Sequence, residues 1–236
     1  EPFGTSKWPW RLDDEKLVYP AYEKMLKAGI TTICIHKGLL PKGYRALMRG
    51  TWKYGTVDDV PKAAKDWPQL TFVIYHSGIR DGGAPDADAV RAFESRGYIP
   101  WVSDLAAIPQ KHGVSNVYAE LGSVFATSAI SNPRYCAGIL GTLIKGMGRD
   151  HVVWGTDSVW YGSPQWQIEA LRRMEIPVDL RRKFGFTELG EADGEVKSAI
   201  FYNNSAAMYR VPAGAAAEPR DRIAVLRDEN LREETC

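Results

Sequence analysis

Four short apolar runs, TTICI (31–35), LTFVIYH (70–76), NVYAELG (116–122) and HVVWGTD (151–157), alternate with segments of helical character. The runs are rich in β-branched and aromatic residues and lack the strict apolar–polar alternation of a half-solvated strand. Each therefore reads as a strand buried on both faces. Strands of that kind, alternating with helices, build a parallel sheet covered by helices. An open doubly wound sheet and a (β/α) barrel both satisfy the pattern. In either one, every C-terminal strand end opens on the same side, so side chains from separate strands can converge there.

The intervening segments carry helix punctuation. In WRLDDEKLVYPAYEKMLKAGI, Asp13 is expected to cap a helix, Pro20 suits its first turn and Gly29 stops it. Ser103 is the expected cap of the segment SDLAAIPQKHG, and Pro133 sits in the first turn of the segment beginning SNPRYC. No GxGxxG or GxxxxGK[ST] follows any strand, so nothing points to nucleotide binding.

The strand ends carry the chemistry. The first runs into His36, Lys37 and Gly38, the second ends at His76 with Gly78 close behind, and the fourth ends at Asp157. The chain has four histidines, and two stand at such tips. Two imidazoles and a carboxylate are a ligand set for zinc, and also for manganese or iron. A divalent metal so held activates a water and polarises a carbonyl. Taken singly, each residue has a plainer role: a strand-end histidine is more often a structural hydrogen-bonding group, and an aspartate in GTDS serves equally as a helix cap. Three coincidences on one edge of one sheet favour a site. Glu120, near the third strand's end, is a candidate partner or substrate contact. Lys37 is a candidate for an anionic substrate group or a Schiff base, although a solvated lysine is the plainer reading. Trp160 is a further candidate substrate contact, since large aromatics line pockets. His112 reads as a helix C-terminal residue and His151 as the start of a strand, at the end away from the tips.

Composition excludes several classes. A net charge of +1 leaves no electrostatic footprint for nucleic acid. No apolar run approaches the roughly 20 residues of a membrane helix. Three cysteines without a CxxC argue against a disulfide framework and for a reducing, cytoplasmic setting.

At these residues the chain resembles the amidohydrolase-related family, metal-dependent hydrolases and decarboxylases built on a (β/α)₈ TIM barrel. The matching stretches include GITTICIHKGLLP, FVIYHSG, NVYAELGS, VVWGTDSVWYGSP and a closing segment with Asn204, Ala206 and Tyr209, over roughly residues 1–211. The resemblance implies that His36 is a metal ligand at the fifth strand's end. It implies that His76 at the sixth touches the metal or the reacting group, and that Asp157 at the eighth binds metal or acts as base. The family's first-strand His-x-His pair does not occur here. The four strands then correspond to the fifth to eighth of the barrel, with the first four expected before residue 1.

The expected organisation is a barrel portion over 1–211 and a linker and tail over 212–236. The expected activity is hydrolysis of an amide, ester or lactone carbonyl in a small molecule by a metal-activated water, with Asp157 accepting the proton. Decarboxylation of an aromatic or unsaturated acid at the same site, and a truncated, non-catalytic barrel half, are the alternatives. An incomplete barrel would expose a sheet edge and apolar surface, so a homo-oligomer is expected.

Overall fold

The computed structural model describes residues 9–212. The chain separates into two compact units, residues 1–205, which hold the sheet, and residues 206–236. Of the second unit, residues 206–212 are described, and there the Val211 amide donates to the Ala206 carbonyl at 2.9 Å. The rest of the linker and tail expected over 212–236 lies outside the described residues.

All four strands are present and every pairing is parallel. β1 (Thr32–His36), β2 (Thr71–Tyr75), β3 (Val117–Glu120) and β4 (Val152–Val153) follow one another in sequence order across a single sheet. Thr32 pairs with Thr71, Phe72 with Val117, and Ala119 with Val152. The crossovers are helical: Val60–Asp66 between β1 and β2, Ala87–Arg96 and Val102–His112 between β2 and β3, and Val124–Ser131 and Pro133–Met147 between β3 and β4. One core unites sheet and helices, with Phe72, Ile74, Val117, Ala119, Leu105 and Leu140 fully buried in it.

Two strands depart from expectation. β1 is not buried on both faces: Cys34 and His36 are exposed. It is an edge strand, so part of it lacks a cover. β4 is shorter than the apolar run that encodes it. His151 closes a turn before it, and the Trp154 amide donates to the Ile200 carbonyl at 3.0 Å instead of extending the ladder with β3.

Two expected helix caps are also reassigned. Asp13 pairs with Arg11 at 2.8 Å, while Asp14 Oδ1 accepts from the amides of Lys16 and Leu17 at 3.0 and 2.9 Å; the helix itself runs Tyr19–Lys27. Ser103 lies inside the helix Val102–His112, and its Oγ accepts from the Ile99 amide at 2.9 Å. Adjacent acids, or a serine one residue into a helix, offer nearly the same capping chemistry, and tertiary packing selects among them. Asn132, before Pro133, does cap its helix by accepting from the Tyr135 amide at 3.0 Å.

Candidate functional site

The parallel sheet delivers the ends of β1 to β4 to one side, and each end turns sharply. β1 breaks at Gly38 for a steric reason: its φ is +80°, and a Cβ there would lie 2.0 Å from the Ile79 carbonyl oxygen. The close approach lets the chain continue pairing beyond the tips, with the Leu39 amide donating to Ile79 and the Leu40 amide to Arg80, each at 2.7 Å. At the other three tips non-glycine residues take positive φ: His76 (φ 58°) and Ser77 (φ 50°) after β2, Ser123 (φ 36°) after β3, and Asp157 (φ 46°) after β4. Such backbone costs on the order of 1–3 kcal/mol per residue and persists only where surrounding contacts hold it. Its concentration on one edge marks that edge as a candidate site.

The tips of β2, β3 and β4 converge. His76 is 2% exposed, and its Nδ1 makes no hydrogen bond; Asp157 Oδ2 stands 3.3 Å from it and Glu120 Oε2 3.9 Å. The His36 ring lies alongside that of His76, with centroids 4.8 Å apart. Burial lowers the pKa of His76 most; the Asp157 charge opposes this and His36 adds to it. Glu120 lies beneath the turn after β2. Its Oε2 accepts from the His76 amide at 3.0 Å and its Oε1 from the Gly122 amide at 2.7 Å, while Ser77 Oγ donates to the Glu120 carbonyl at 2.9 Å. Burial pushes its carboxyl up to about 7, against the pull of the two amides and with some help from Asp157. The carboxylate fits only because residue 155 is glycine, since a Cβ there would lie 1.4 Å from Glu120 Oε1.

Asp157 occupies the cap position of the short helix Ser158–Tyr161, yet its side chain makes no capping bond. It accepts instead from Ser123 Oγ at 2.5 Å. The helix-cap role that the sequence equally allowed is therefore not the one it plays.

The structure thus gathers His36, His76, Glu120 and Asp157. It separates Lys37 and Trp160 from them. The Lys37 ammonium, 2% exposed, donates to Asp59 Oδ2 at 2.7 Å and to the Tyr54 carbonyl at 3.0 Å. It is neither solvated nor open to a substrate, because consecutive residues at a strand end point to opposite faces and the face of Lys37 is filled. Trp160 is 80% exposed, three residues past Asp157, and little of its indole touches anything. His151 lies at the opposite end, its Nε2 2.9 Å from the Ser115 carbonyl, and His112 ends its helix away from the tips. Sequence reasoning missed Ser123, Tyr161, Gly155 and Asp59. Only the position of Ser123 just past the third strand could have flagged one of them.

The donor chemistry at the tips, two imidazoles and a carboxylate, suits a divalent metal, and the unpartnered Nδ1 of buried His76 is a nitrogen lone pair or N–H in want of a partner. The side chains do not form a closed cage by themselves: among the described residues no group of three or more His, Cys, Asp or Glu is arranged to hold a metal ion. No helix among them is long and apolar enough to cross a membrane.

The family model for amidohydrolases matches residues 3–211, and the chain belongs to that family. Among curated proteins none matches it. Among solved structures it is similar to an amidohydrolase from Burkholderia multivorans with bound zinc, at 15% identity and a TM-score of 0.48, covering 86% of this chain and 63% of that one. It is also similar to 5-carboxyvanillate decarboxylase from Sphingomonas paucimobilis, at 17% identity and a TM-score of 0.46, covering 86% of this chain and 56% of that one. A third is a dihydroxybenzoic acid decarboxylase from Polaromonas sp. JS666 with bound manganese, at 16% identity and a TM-score of 0.40, covering 77% and 54%. The chain spans less than two thirds of the length of each of these three structures.

Proposed function

We propose that this chain carries the fifth-to-eighth-strand portion of a metal-dependent hydrolase acting on an amide, ester or lactone carbonyl of a small molecule. The observation that carries the reading is the convergence at His76: a buried imidazole nitrogen without a hydrogen bond, 3.3 Å from the Asp157 carboxylate, with the His36 ring beside it. His36, His76 and Asp157 would hold the metal, zinc first and manganese or iron otherwise. Bound there, a divalent cation supplies Lewis-acid polarisation of the carbonyl and a water acidic enough to attack it near neutral pH.

The chain's own residues do the rest. Asp157 accepts the proton released by the attacking water. His76 stands beside that carboxylate, and its turn is held by the amide contact to Glu120. Glu120 is a positioning group rather than a substrate contact, since both its oxygens are occupied by backbone amides.

Metal analysis and a substrate panel test this. The purified chain is expected to bind zinc or manganese near one equivalent, and His36→Ala to lose it, with partial recovery on adding metal. Turnover of an amide, ester or lactone supports hydrolysis, whereas turnover of aromatic acids alone replaces it with decarboxylation. A chain that binds no divalent metal and turns over nothing defeats the proposal.

A further inference from the structure

Asp157 Oδ2 accepts from the Ser123 hydroxyl at 2.5 Å and stands 3.3 Å from His76 Nδ1 without a hydrogen bond between them, while Oδ1 makes no hydrogen bond among the described residues. Ser123 is 5% exposed and has a positive φ of 36°. Its Oγ also faces the Tyr161 hydroxyl, which donates to it at 3.2 Å. A serine hydroxyl has one proton. While Ser123 accepts from Tyr161, its own proton is committed to Asp157, so the chain of donors runs in one sense, from Tyr161 to Ser123 to Asp157. Tyr161 is anchored in turn, its carbonyl accepting from Trp166 Nε1 at 3.1 Å, and fully buried Gln167 donates from Nε2 to the Thr156 carbonyl at 2.8 Å. Two strand tips, after β3 and β4, are thereby joined through two residues of positive φ.

We infer that Ser123 is a positioning residue for Asp157 and that Tyr161 sets the sense of its hydroxyl. Together they anchor Oδ2 and leave Oδ1 as the oxygen that works. The inference rests on the reading of Asp157 as the functional carboxylate. Its backbone makes it distinctive. Glycine suits a positive φ better than serine, so a purely structural role would be filled at least as well by glycine. The hydroxyl is the reason for serine there.

The test uses the full chain, with Ser123→Gly, Tyr161→Phe and Asp157→Asn, and three measurements: melting temperature, the low-field hydroxyl proton resonance of a short O–H···O bond, and zinc affinity by competition with a chromogenic chelator. Ser123→Gly is expected to melt at or above the parent temperature, lose the low-field resonance and bind zinc about tenfold more weakly or worse, the scale on which groups that orient a metal ligand act. Asp157→Asn is expected to shift that resonance upfield, and Tyr161→Phe to broaden it by freeing the serine rotor. A low-field resonance that is absent from the parent, or that persists in Ser123→Gly, overturns the inference. So does zinc affinity within twofold of a zinc-binding parent. If the parent binds no zinc, the metal reading of the site fails while the resonance still decides the role of Ser123.

Discussion

Two clusters of titratable side chains lie near the end of β1, and they are satisfied to different degrees. On one side Lys37 meets Asp59, 2% and 1% exposed. The ammonium has the carboxylate at 2.7 Å and the Tyr54 carbonyl at 3.0 Å, and Asp59 Oδ2 also accepts from the Leu12 amide at 2.9 Å. Asp59 Oδ1 is the one atom of the pair left without a partner. On the other side His76, Glu120 and Asp157 crowd together with a bare imidazole nitrogen, a carboxyl pushed up to about 7 and three left-handed residues at their turns, His76, Ser77 and Asp157. Buried polar groups are normally satisfied, and a group that is not signals a cost the fold retains for some other reason. The first cluster ties the segment around Leu12 to the helix Val60–Asp66; the second leaves the buried His76 imidazole nitrogen without a partner.

The sharpest way to break this comparison is to remove Lys37. Lys37→Met keeps the volume but leaves Asp59 buried and unpaired, with an expected loss of about 3–5 kcal/mol in urea denaturation and no change in zinc affinity per folded molecule. A loss under about 1 kcal/mol would show that the pair is not the structural tie described.

Glu120 gives the next largest effect, in metal-free protein. Its folded pKa, about 7, lies above the ordinary 4.5. Between those values the folded chain keeps a proton that the unfolded chain has released. Stability is therefore highest below about pH 4.5 as far as this group is concerned, falls as pH rises to about 7, and is flat beyond. At ~1.4 kcal/mol per unit the whole effect is about 3 kcal/mol. Denaturation across that window on the parent and on Glu120→Gln should show the slope in the first and its removal in the second; equal slopes would mean that the carboxyl is better solvated than its burial indicates.

Asp157→Asn separates function from fold. In a full-length protein carrying this half of the barrel, a loss in kcat on the order of a hundredfold is expected, the scale of general-base catalysis. Little change in melting temperature should accompany it, since Asp157 caps no helix. Turnover within a few-fold of the parent would end its assignment as the base. The smallest effect is Gly155→Ala, whose methyl would collide with Glu120 Oε1. Overpacking of this kind costs about 1–3 kcal/mol, and it should also flatten the pH slope assigned to Glu120 by moving that carboxyl.

Periodicity and strand ends made much of this architecture readable in the sequence. The four parallel strands, the helices between them and the arrival of His36, His76 and Asp157 on one edge all follow from apolar runs, turn residues and the common polarity of a parallel sheet. These are local signals, carried by residues close in the chain. What tertiary structure alone decided is which face each tip residue takes and what it meets there. His36 is exposed and adjacent Lys37 is buried because Asp59, 22 positions away, fills the space behind β1. Glu120 became an anchor for the His76 turn because Gly155 leaves room for its carboxylate. Asp157 left its helix cap unmade because Ser123, 34 residues earlier, offers it a shorter bond. Each outcome depends on partners distant in sequence, whose proximity exists only once the sheet has brought the strand ends together.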